Sequence, residues 1–375
     1  MSERRSTWIS NYLLLVMAAS FGASLAHAAQ PITYTEVILA YPVPAAKGGV
    51  SGPAGSLGGT SFGGDHTVMT LTYHSDIADV EDFTATGFFT VTGQQNFSSV
   101  ASSSVQVNDS ATGAQLVQGK FQPYDGIYVS VDHSGGGIGF GSSGGPVGSS
   151  AFPGNPLYPY AFIFSTAYDL RSSVDIGPDN GAYSCVGFPS PTCGAPIPLQ
   201  TDAGALLVTT TTNPFYSGAP GRLAFFSART GYVAPLEVFR STLSIKNASF
   251  FGTTAHFGAS GKFTLGWDGS DLNPLTDAVT LSIMGGSSTF SVLQDLPITI
   301  PAGSFTTTST GTYVYSGTLN GVTLFMKVRP LGHHSYSFSA TGSTMLLEVD
   351  TPFAVGLRIG NNLGVTGPAP SEEDE

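Results

Sequence analysis

Charged side chains are scarce in this sequence. They make up 10% of its 375 residues, whereas an ordinary globular domain has about 25%. Basic residues are the scarcer kind, with 13 Lys and Arg against 25 Asp and Glu, for a net charge of −12. A surface of that sign repels phosphate backbones, so we expect no nucleic-acid partner. Gly, Ser and Thr replace the missing charge and indicate turns and sheet surfaces.

Long apolar runs and helical patterns are also lacking. Past residue 30 no apolar run approaches the roughly 18 residues that suggest a membrane-spanning helix, so we expect no transmembrane segment in the mature chain. No segment sustains a 3.6-residue apolar period, while period-2 alternation recurs throughout. The sequence therefore predicts an all-β protein with two tandem β-sandwich-like domains.

Cysteine is nearly absent. Cys185 and Cys193 are the two in the chain, and seven residues separate them. In an oxidising compartment a pair this close most simply forms one disulfide across a local loop. A metal site is the alternative, but two thiolates are half of a tetrahedral zinc set and no His lies near them in sequence. We predict the disulfide and no cofactor.

The first residues have the pattern of a secretory signal peptide. Arg4 and Arg5 form a basic start, an apolar run extends from about Tyr12 to Leu25, and small residues follow at Ala26–Ala28. An uncleaved anchor is the alternative, but about 14 apolar residues are short for a bilayer core. Residues 1–28 are predicted to be removed, and the mature protein is predicted to be secreted, periplasmic or on the surface of a bacterial cell.

The mature length exceeds what one hydrophobic core usually organises. Residues 29–235 hold both cysteines and the long Gly-rich stretches, whereas 236–366 has more regular strand patterns. We therefore predict two β domains that join near Ala234–Pro235. Residues 367–375, with two prolines and four acids, are predicted to be a solvated tail.

The clearest local prediction is a hairpin at Asn320–Gly321, a pair that favours a type I′ turn. That turn would place Leu319 opposite Val322 and Tyr315 opposite Met326, making one face apolar. The other face would carry hydroxyl groups and Lys327, with Val314 and Phe325 as exceptions. Further strands are predicted at 68–73, 88–91, 127–131, 160–164, 206–211, 243–245, 279–283 and 355–359.

Several strings resemble those of known but uncharacterised secreted bacterial proteins. In the first half they are Val129–Asp132, Gly135–Ser142 and Ser184–Pro189. In the second half Phe263–Gly266, Asn273–Thr276, Ile300–Phe305 and Pro330–Gly332 resemble a β-rich module of exported proteins. That module often ends in an acidic Ile-Gly-Asp-Asp string, where this chain has Ile359–Asn362. The resemblance implies a β-rich fold and an exported location, and it brings no activity.

One string suggests an enzyme. Gly141–Pro146 is similar to the segment around the nucleophile of chymotrypsin-like serine proteases, which need a histidine base and an orienting acid. The same residues spell the Gly-x-Ser-x-Gly of α/β-hydrolases, but that motif needs a helix, which this sequence does not offer. A Gly-Ser run also produces such matches by chance, so a flexible loop is the favoured interpretation. The candidate residues would be Ser142 or Ser143, His66 or His74, and Asp76, Asp79 or Asp132.

Other candidate sites are acidic, histidine-rich or aromatic. Acidic clusters suggest calcium, but none has the alternating oxygen spacing of a compact calcium loop, and solvated turns are favoured. His333 and His334 are adjacent, so on one strand they would point to opposite faces, and a turn is favoured. The row Tyr158, Tyr160, Phe162 could stack on sugars or pack in a core. The acidic clusters are Asp76, Asp79, Glu81 and Asp82; Asp268, Asp271 and Asn273; and Asp175 with Asp179.

No catalytic, cofactor-binding or metal-binding residue is therefore predicted. The sequence favours a non-enzymatic exported protein with a structural, adhesive or binding role, whose partner could be a glycan or a cell-surface protein. A secreted serine hydrolase and a calcium-stabilised carbohydrate-binding module are the alternatives.

Overall fold

The computed structural model describes residues 30–40, 53–64, 66–82, 90–92, 102–122, 127–131, 137–142, 161–162, 168–181, 199–208, 222–246, 254–266, 272–286, 293–345 and 351–366. Within these ranges the regular structure is β-strand, apart from one 3-10 turn at Ile77–Asp79. The prediction of an all-β, sandwich-like fold is confirmed. No helix in the described part of the chain is long and apolar enough to cross a membrane.

The first half of the chain contributes fifteen strands to the described ranges. They are β1 (Pro31–Ala40), β2 (Gly55–Leu57), β3 (Thr60–Phe62), β4 (Thr67–Asp76), β5 (Val80–Asp82), β6 (Thr90–Thr92), β7 (Ser102–Asp109), β8 (Gln115–Lys120), β9 (Ile127–Val131), β10 (Gly137–Ser142), β11 (Ala161–Phe162), β12 (Val174–Gly181), β13 (Leu199–Thr201), β14 (Gly204–Val208) and β15 (Arg222–Thr230). They form a six-stranded sheet β12-β15-β1-β4-β7-β8, a five-stranded sheet β11-β10-β9-β6-β5 and a four-stranded sheet β13-β14-β2-β3.

The second half forms one large sheet. Its strands are β16 (Ala234–Lys246), β17 (Ala255–Leu265), β18 (Val279–Gly286), β19 (Leu293–Ile300), β20 (Thr306–Thr307), β21 (Tyr313–Leu319), β22 (Val322–Gly332), β23 (Ser335–Thr344), β24 (Thr351–Ile359) and β25 (Asn362–Thr366). The sheet has ten strands in the order β19-β18-β24-β25-β16-β17-β23-β22-β21-β20. All pairs are antiparallel except β16 with β25, which run parallel at Ala234 and Pro235.

The core of the first half lies between the six-stranded and five-stranded sheets. Strand β1 is central, and alternate residues such as Ile32, Tyr34 and Ile38 join side chains of the facing sheet, among them Val129 and Phe140. Eight consecutive residues of β1, 32 to 39, are buried. A strand whose side chains are buried on both faces must pack against one layer on each face. One face of β1 lies in the first core, so its other face must contact a further layer.

That outward packing is against the second half. Val37 and Leu39 of β1, with Val68 of β4, form an apolar cluster with Met284 of β18 and Ala354 of β24. The ten-stranded sheet curls so that β18 and β24 face β17, β22 and β23 across a second large core. The sheets therefore stack in layers, and the layer made by β16, β17, β23, β22 and β21 lies on the far side of the second core. The turn between β7 and β8 borders this layer at β16, where a β-carbon on Gly113 would lie 2.9 Å from Arg240 Cβ.

Two amide side chains also join the halves. Gln106 on β7 donates from Nε2 to the carbonyl oxygen of Leu236 at 2.7 Å, and Asn108 donates from Nδ2 to that of Glu237 at 2.8 Å. Gln106 also donates to Asn108 Oδ1 at 2.9 Å, so each amide fixes the other. Because these groups are removed from water, losing one partner leaves the other unsatisfied.

The predicted hairpin is confirmed residue for residue. Asn320 and Gly321 both have positive φ, 48° and 83°, as a type I′ turn requires. Leu319 pairs with Val322 and Tyr315 with Met326, as expected. The predicted strands at 127–131 and 279–283 also lie in the structure, as β9 and within β18.

Three predictions concern residues that lie outside the described ranges. They are the signal peptide, the disulfide between Cys185 and Cys193, and the solvated tail 367–375. The apolar clusters of the two halves contain residues 32 to 228 and 236 to 359 respectively. The division into two domains near Ala234–Pro235 stays a prediction.

Candidate binding surface

The outermost layer of the second half leaves one face to solvent. On β22 the side chains of Val322, Leu324, Met326 and Val328 are buried, while those between them are exposed. The same alternation continues onto β17 and β23, because the strands pair in register. One face of the layer therefore holds the core, and the other is open.

We call this open face the hydroxyl face, because Ser and Thr predominate on it. It consists of Arg240, Thr242, Ser244 and Lys246 on β16; His256, Gly258, Ser260 and Lys262 on β17; Ser337, Ser339, Thr341 and Ser343 on β23; Thr323, Phe325, Lys327 and Arg329 on β22; and Val314, Ser316 and Thr318 on β21.

The charge of the hydroxyl face has the opposite sign to that of the whole protein. Five of the 13 lysines and arginines lie on it, and none of the acids among the described residues does. Glu237 is the one acid within these five strands, and it lies at an irregularity of β16 that interrupts the pairing between Leu236 and Val238. The basic residues are Arg240, Lys246, Lys262, Lys327 and Arg329.

Three of these cations share one row across the strands. Arg240 is the direct partner of Lys262, Lys262 that of Ser337, and Ser337 that of Arg329. Like charges placed directly opposite each other on neighbouring strands destabilise a sheet. The pair Arg240 and Lys262 is therefore an arrangement that folding alone does not favour, and a bound anion would relieve its repulsion.

Hydroxyl groups fill the rows between the cations, and some contact each other across strands. The Thr242 and Ser260 hydroxyl oxygens are 2.8 Å apart, and those of Thr318 and Thr323 are 3.4 Å apart. Each hydroxyl has one donor hydrogen and two acceptor lone pairs, so such a pair keeps acceptor capacity for a ligand.

Phe325 is the large apolar side chain of the hydroxyl face. It is 39% exposed, and Lys327 Nζ lies 5.0 Å from its ring centroid. Thr341 and Ser316 are its partners on the neighbouring strands, so the ring is surrounded by small side chains. The Lys327 ammonium lies over the ring, so Phe325 is an exposed apolar side chain whose face is partly covered by a cation.

The residues of the enzyme hypothesis are only partly described. Ser142 ends β10, where its backbone pairs with Ile127 of β9, and Ser143 and Asp132 lie outside the described residues. His66 lies exposed in the turn before β4. The structure therefore gives no geometry for the proposed serine.

His74 is a structural residue. Its ring stacks on Tyr232 with centroids 4.0 Å apart, and Nδ1 lies 3.0 Å from Thr33 Oγ1. The Thr33 hydroxyl donates its single hydrogen to the Gly231 carbonyl oxygen at 2.8 Å, so Nδ1 of His74 is the donor in this contact. Burial, and secondarily the charge of Lys120, lowers the pKa of His74 to about 4. So weak a base is poorly matched to general-base chemistry near neutral pH.

The acidic candidates that are described cap turns. Asp76 Oδ1 accepts from the Ala78 backbone N–H at 2.9 Å at the start of the 3-10 turn, and Asp79 Oδ2 accepts from the Ser75 hydroxyl at 3.4 Å. Asn273 Oδ1 accepts from Leu275 N–H at 3.2 Å. No group of three or more potential metal ligands occurs among the described residues. Asp268 and Asp271 lie outside them, and the side chains of Glu81, Asp82, Asp175 and Asp179 are not described.

The remaining candidates are a turn and an aromatic row. His333 and His334 form the exposed turn between β22 and β23, with φ of 51° and 56°, which confirms the turn interpretation. Tyr158 and Tyr160 lie outside the described residues, and Phe162 ends β11.

One buried acid was missed by the sequence analysis. Glu36 points from β1 into the first core, where it is 0% exposed. Its Oε2 accepts from the Phe140 backbone N–H at 3.1 Å, and its Oε1 has no hydrogen-bond partner among the described residues. Desolvation by burial raises the pKa of Glu36 to about 8, and the Phe140 hydrogen bond opposes the shift only in part. A lone Glu in an alternating β pattern gives no signal for this.

Comparison with protein-family models found no match, and comparison with curated proteins found none. Among solved structures, the N-terminal domain of the Streptococcus gordonii adhesin Sgo0707 aligns over 88% of this chain and 82% of its own, at 10% sequence identity and a TM-score of 0.19. A likeness at that score carries no argument about the fold or the function of this chain.

Proposed function

We propose that this protein is an exported, non-enzymatic binding protein and that it binds an anionic ligand through the hydroxyl face. The observation that carries the proposal is the segregation of charge: an acidic chain, with a net charge of −12, places five cations and, in the described part of the chain, no acid on one sheet face. If the 13 basic and 25 acidic residues were spread evenly over the 375 positions, the 19 positions of the face would hold about one acid and fewer than one cation, so the five cations are the unusual feature.

Screening makes this local charge effective. At physiological ionic strength the Debye length is about 8 Å. The face measures roughly 19 Å across its five strands and roughly 20 Å along them, from strand spacings of about 4.8 Å and residue rises of about 3.4 Å. A ligand lying on its centre therefore senses mainly the face, and the acidic remainder of the molecule is largely screened.

Export and the absence of catalysis are part of the proposal. Residues 1–28 support export through their basic start, apolar run and small-residue ending, and mass spectrometry of the protein secreted by its host tests cleavage after Ala28. The commitment of His74 to Thr33 and Tyr232 supports a non-enzymatic role, because it removes one of the two candidate bases. A serine hydrolase would instead lose turnover of ester or peptide substrates in S142A or S143A.

We also propose two features of the architecture, a disulfide and a division into two domains. The Cys185–Cys193 disulfide is supported by the short separation and by export, and alkylation before and after reduction tests it. Two domains joined near Ala234–Pro235 are supported by the two separate apolar clusters, and limited proteolysis followed by separate unfolding measurements tests them.

Cation-exchange chromatography at pH 7 tests the binding proposal. An acidic protein with mixed surface charge flows through a carboxymethyl resin at low ionic strength. We expect the wild-type protein to be retarded and to elute earlier as salt increases. The variant K262E/R329E should flow through, and K262R/R329K, which keeps the charge, should be retarded like the wild type. Flow-through of the wild-type protein would contradict the proposed function.

A further inference from the structure

We propose that the anionic ligand of the hydroxyl face is an acidic polysaccharide that lies across the strands. Its carboxylates would pair with Arg240, Lys262 and Arg329, and its sugar hydroxyls would bond to the Ser and Thr side chains. This inference rests on the proposed function and narrows it to one class of ligand.

The spacing of the cations suits a linear chain of moderate charge density. Arg240 and Lys262 lie on neighbouring strands, and Arg329 lies two strands beyond Lys262, with Ser337 between them. At about 4.8 Å per strand the row spans roughly 14 Å. The row carries three positive charges, and the Ser337 hydroxyl lies between the second and the third. The neighbouring row contains a further cation, Lys327, which is on the same strand as Arg329.

The hydroxyl groups suit a ligand that both donates and accepts hydrogen bonds. Serine and threonine hydroxyls rotate to either role. The rows beside the cations carry Thr242, Ser260 and Ser339 in register across three strands. Sugar hydroxyls have the same dual capacity. Arginine adds a planar fork that binds a carboxylate through two parallel N–H groups.

A globular protein partner fits this face poorly. A stable protein interface buries about 800 Å² on each partner, whereas the roughly 19 by 20 Å face offers about half of that area. Interface centres are also enriched in aromatic residues, Met and Arg and depleted in Lys and Ser. Of the 19 residues of the face, three are of the enriched kinds and nine are Lys or Ser. Here Phe325 is the single large apolar side chain, and hydroxyls and lysines surround it.

A nucleic acid also fits poorly. Duplex DNA carries one charge per about 1.7 Å of axis, a linear charge density well above that of the cation row, which has three charges over roughly 14 Å. Proteins that bind single strands stack successive bases on aromatic side chains, and the hydroxyl face has one such ring. On a sugar chain one ring suffices, since Phe325, once the Lys327 side chain over it turns towards a carboxylate, can pack against the apolar face of a single sugar.

Polygalacturonate and its fully methyl-esterified form provide matched probes, because they share one backbone and differ in the charge of the carboxyl groups. Binding of the purified full chain to each immobilised polymer is measured at pH 7 and low salt. We expect the wild-type protein to bind polygalacturonate at least tenfold more tightly than the ester, with affinity falling as salt rises.

Variants locate the site. K262E/R329E should reduce binding to polygalacturonate at least tenfold, whereas K262R/R329K and K120E, a charge reversal outside the face, should change it less than twofold. T242A/S260A, which keeps every charge, should weaken binding several-fold because it removes hydroxyls beside the cation row. Circular dichroism of each variant confirms that the fold is kept.

Three results would overturn the inference. Equal binding of the acid and the ester would show that carboxylates are not recognised. Binding that depends on the face but is stronger for polyglutamate, single-stranded DNA or phosphatidylglycerol vesicles would leave the proposed function standing and assign another ligand class. Retention on carboxymethyl resin without any binding to polygalacturonate would do the same.

Discussion

Replacing Glu36 by glutamine should stabilise the protein near neutral pH, although it removes a buried, hydrogen-bonded carboxyl group. The neighbours of Glu36 in the sheet are Leu71 on β4 and Phe226 on β15, and the facing strand β10 contributes the Phe140 N–H. None of these groups can balance a negative charge. Burial therefore favours the neutral acid, and its pKa is raised to about 8 from an ordinary 4.5.

The sign and size follow from proton binding in the folded and unfolded states. Between pH 4.5 and about 8 the folded protein keeps a proton on Glu36 that the unfolded chain has released. Unfolding is then favoured as pH rises, and the free energy of unfolding falls by about 1.4 kcal/mol per pH unit. The accumulated loss is about 3 kcal/mol at pH 7 and about 5 kcal/mol from pH 8 upwards, where both states are ionised. The side-chain amide of the E36Q variant does not titrate, so the variant escapes this loss.

Urea unfolding followed by circular dichroism, at intervals from pH 4 to pH 9, measures the effect. Wild type and E36Q should have similar free energies of unfolding near pH 4, and the variant should become progressively more stable until the difference levels off near pH 8. E36D is a useful control because it keeps the titrating group. A difference that does not vary with pH, or an E36Q protein that is less stable at pH 7, would refute the reasoning.

Three further predictions concern stability, and each is checked by the same urea titration. The pKa of His74 is lowered to about 4. The neutral ring therefore contributes fully to the free energy of unfolding above pH 6.5, and this contribution is lost as pH falls towards 4. In the H74N variant the free energy of unfolding should fall less over that pH range. G342A should destabilise by about 1–3 kcal/mol, because its β-carbon would lie against the Phe257 ring and 2.7 Å from a backbone oxygen, whereas the solvent-facing S343A should be nearly neutral. N108A should cost about 1–3 kcal/mol by leaving the Glu237 carbonyl without its 2.8 Å donor, and an unchanged midpoint would contradict that role.

Local patterns predicted the hairpin at Asn320–Gly321 because turn chemistry and alternation act over a few residues. The dipeptide sets the turn, and the turn sets every pair from Leu319–Val322 onward. The open side of that hairpin, with Thr318, Thr323 and Lys327, was therefore expected from the sequence. These residues form one edge of the hydroxyl face.

The rest of the face could not be predicted in this way. Lys262 and Arg329 lie in one row because both pair with Ser337 of β23. The pairing of β23 with β17 joins residues more than seventy positions apart, such as Phe263 and Tyr336. Such register depends on which apolar faces pack together in the finished core, and alternation alone does not specify partners. The burial of Glu36 was missed for the same reason, since it depends on a facing strand more than a hundred residues away.

Anion binding by the hydroxyl face is measured most simply as the affinity of the purified protein for polygalacturonate, compared between wild type and K262E/R329E at pH 7. We expect measurable binding by the wild-type protein and at least a tenfold loss in the variant, with K262R/R329K unchanged. Equal affinity of wild type and K262E/R329E would contradict it, because the ligand would then bind somewhere other than the hydroxyl face.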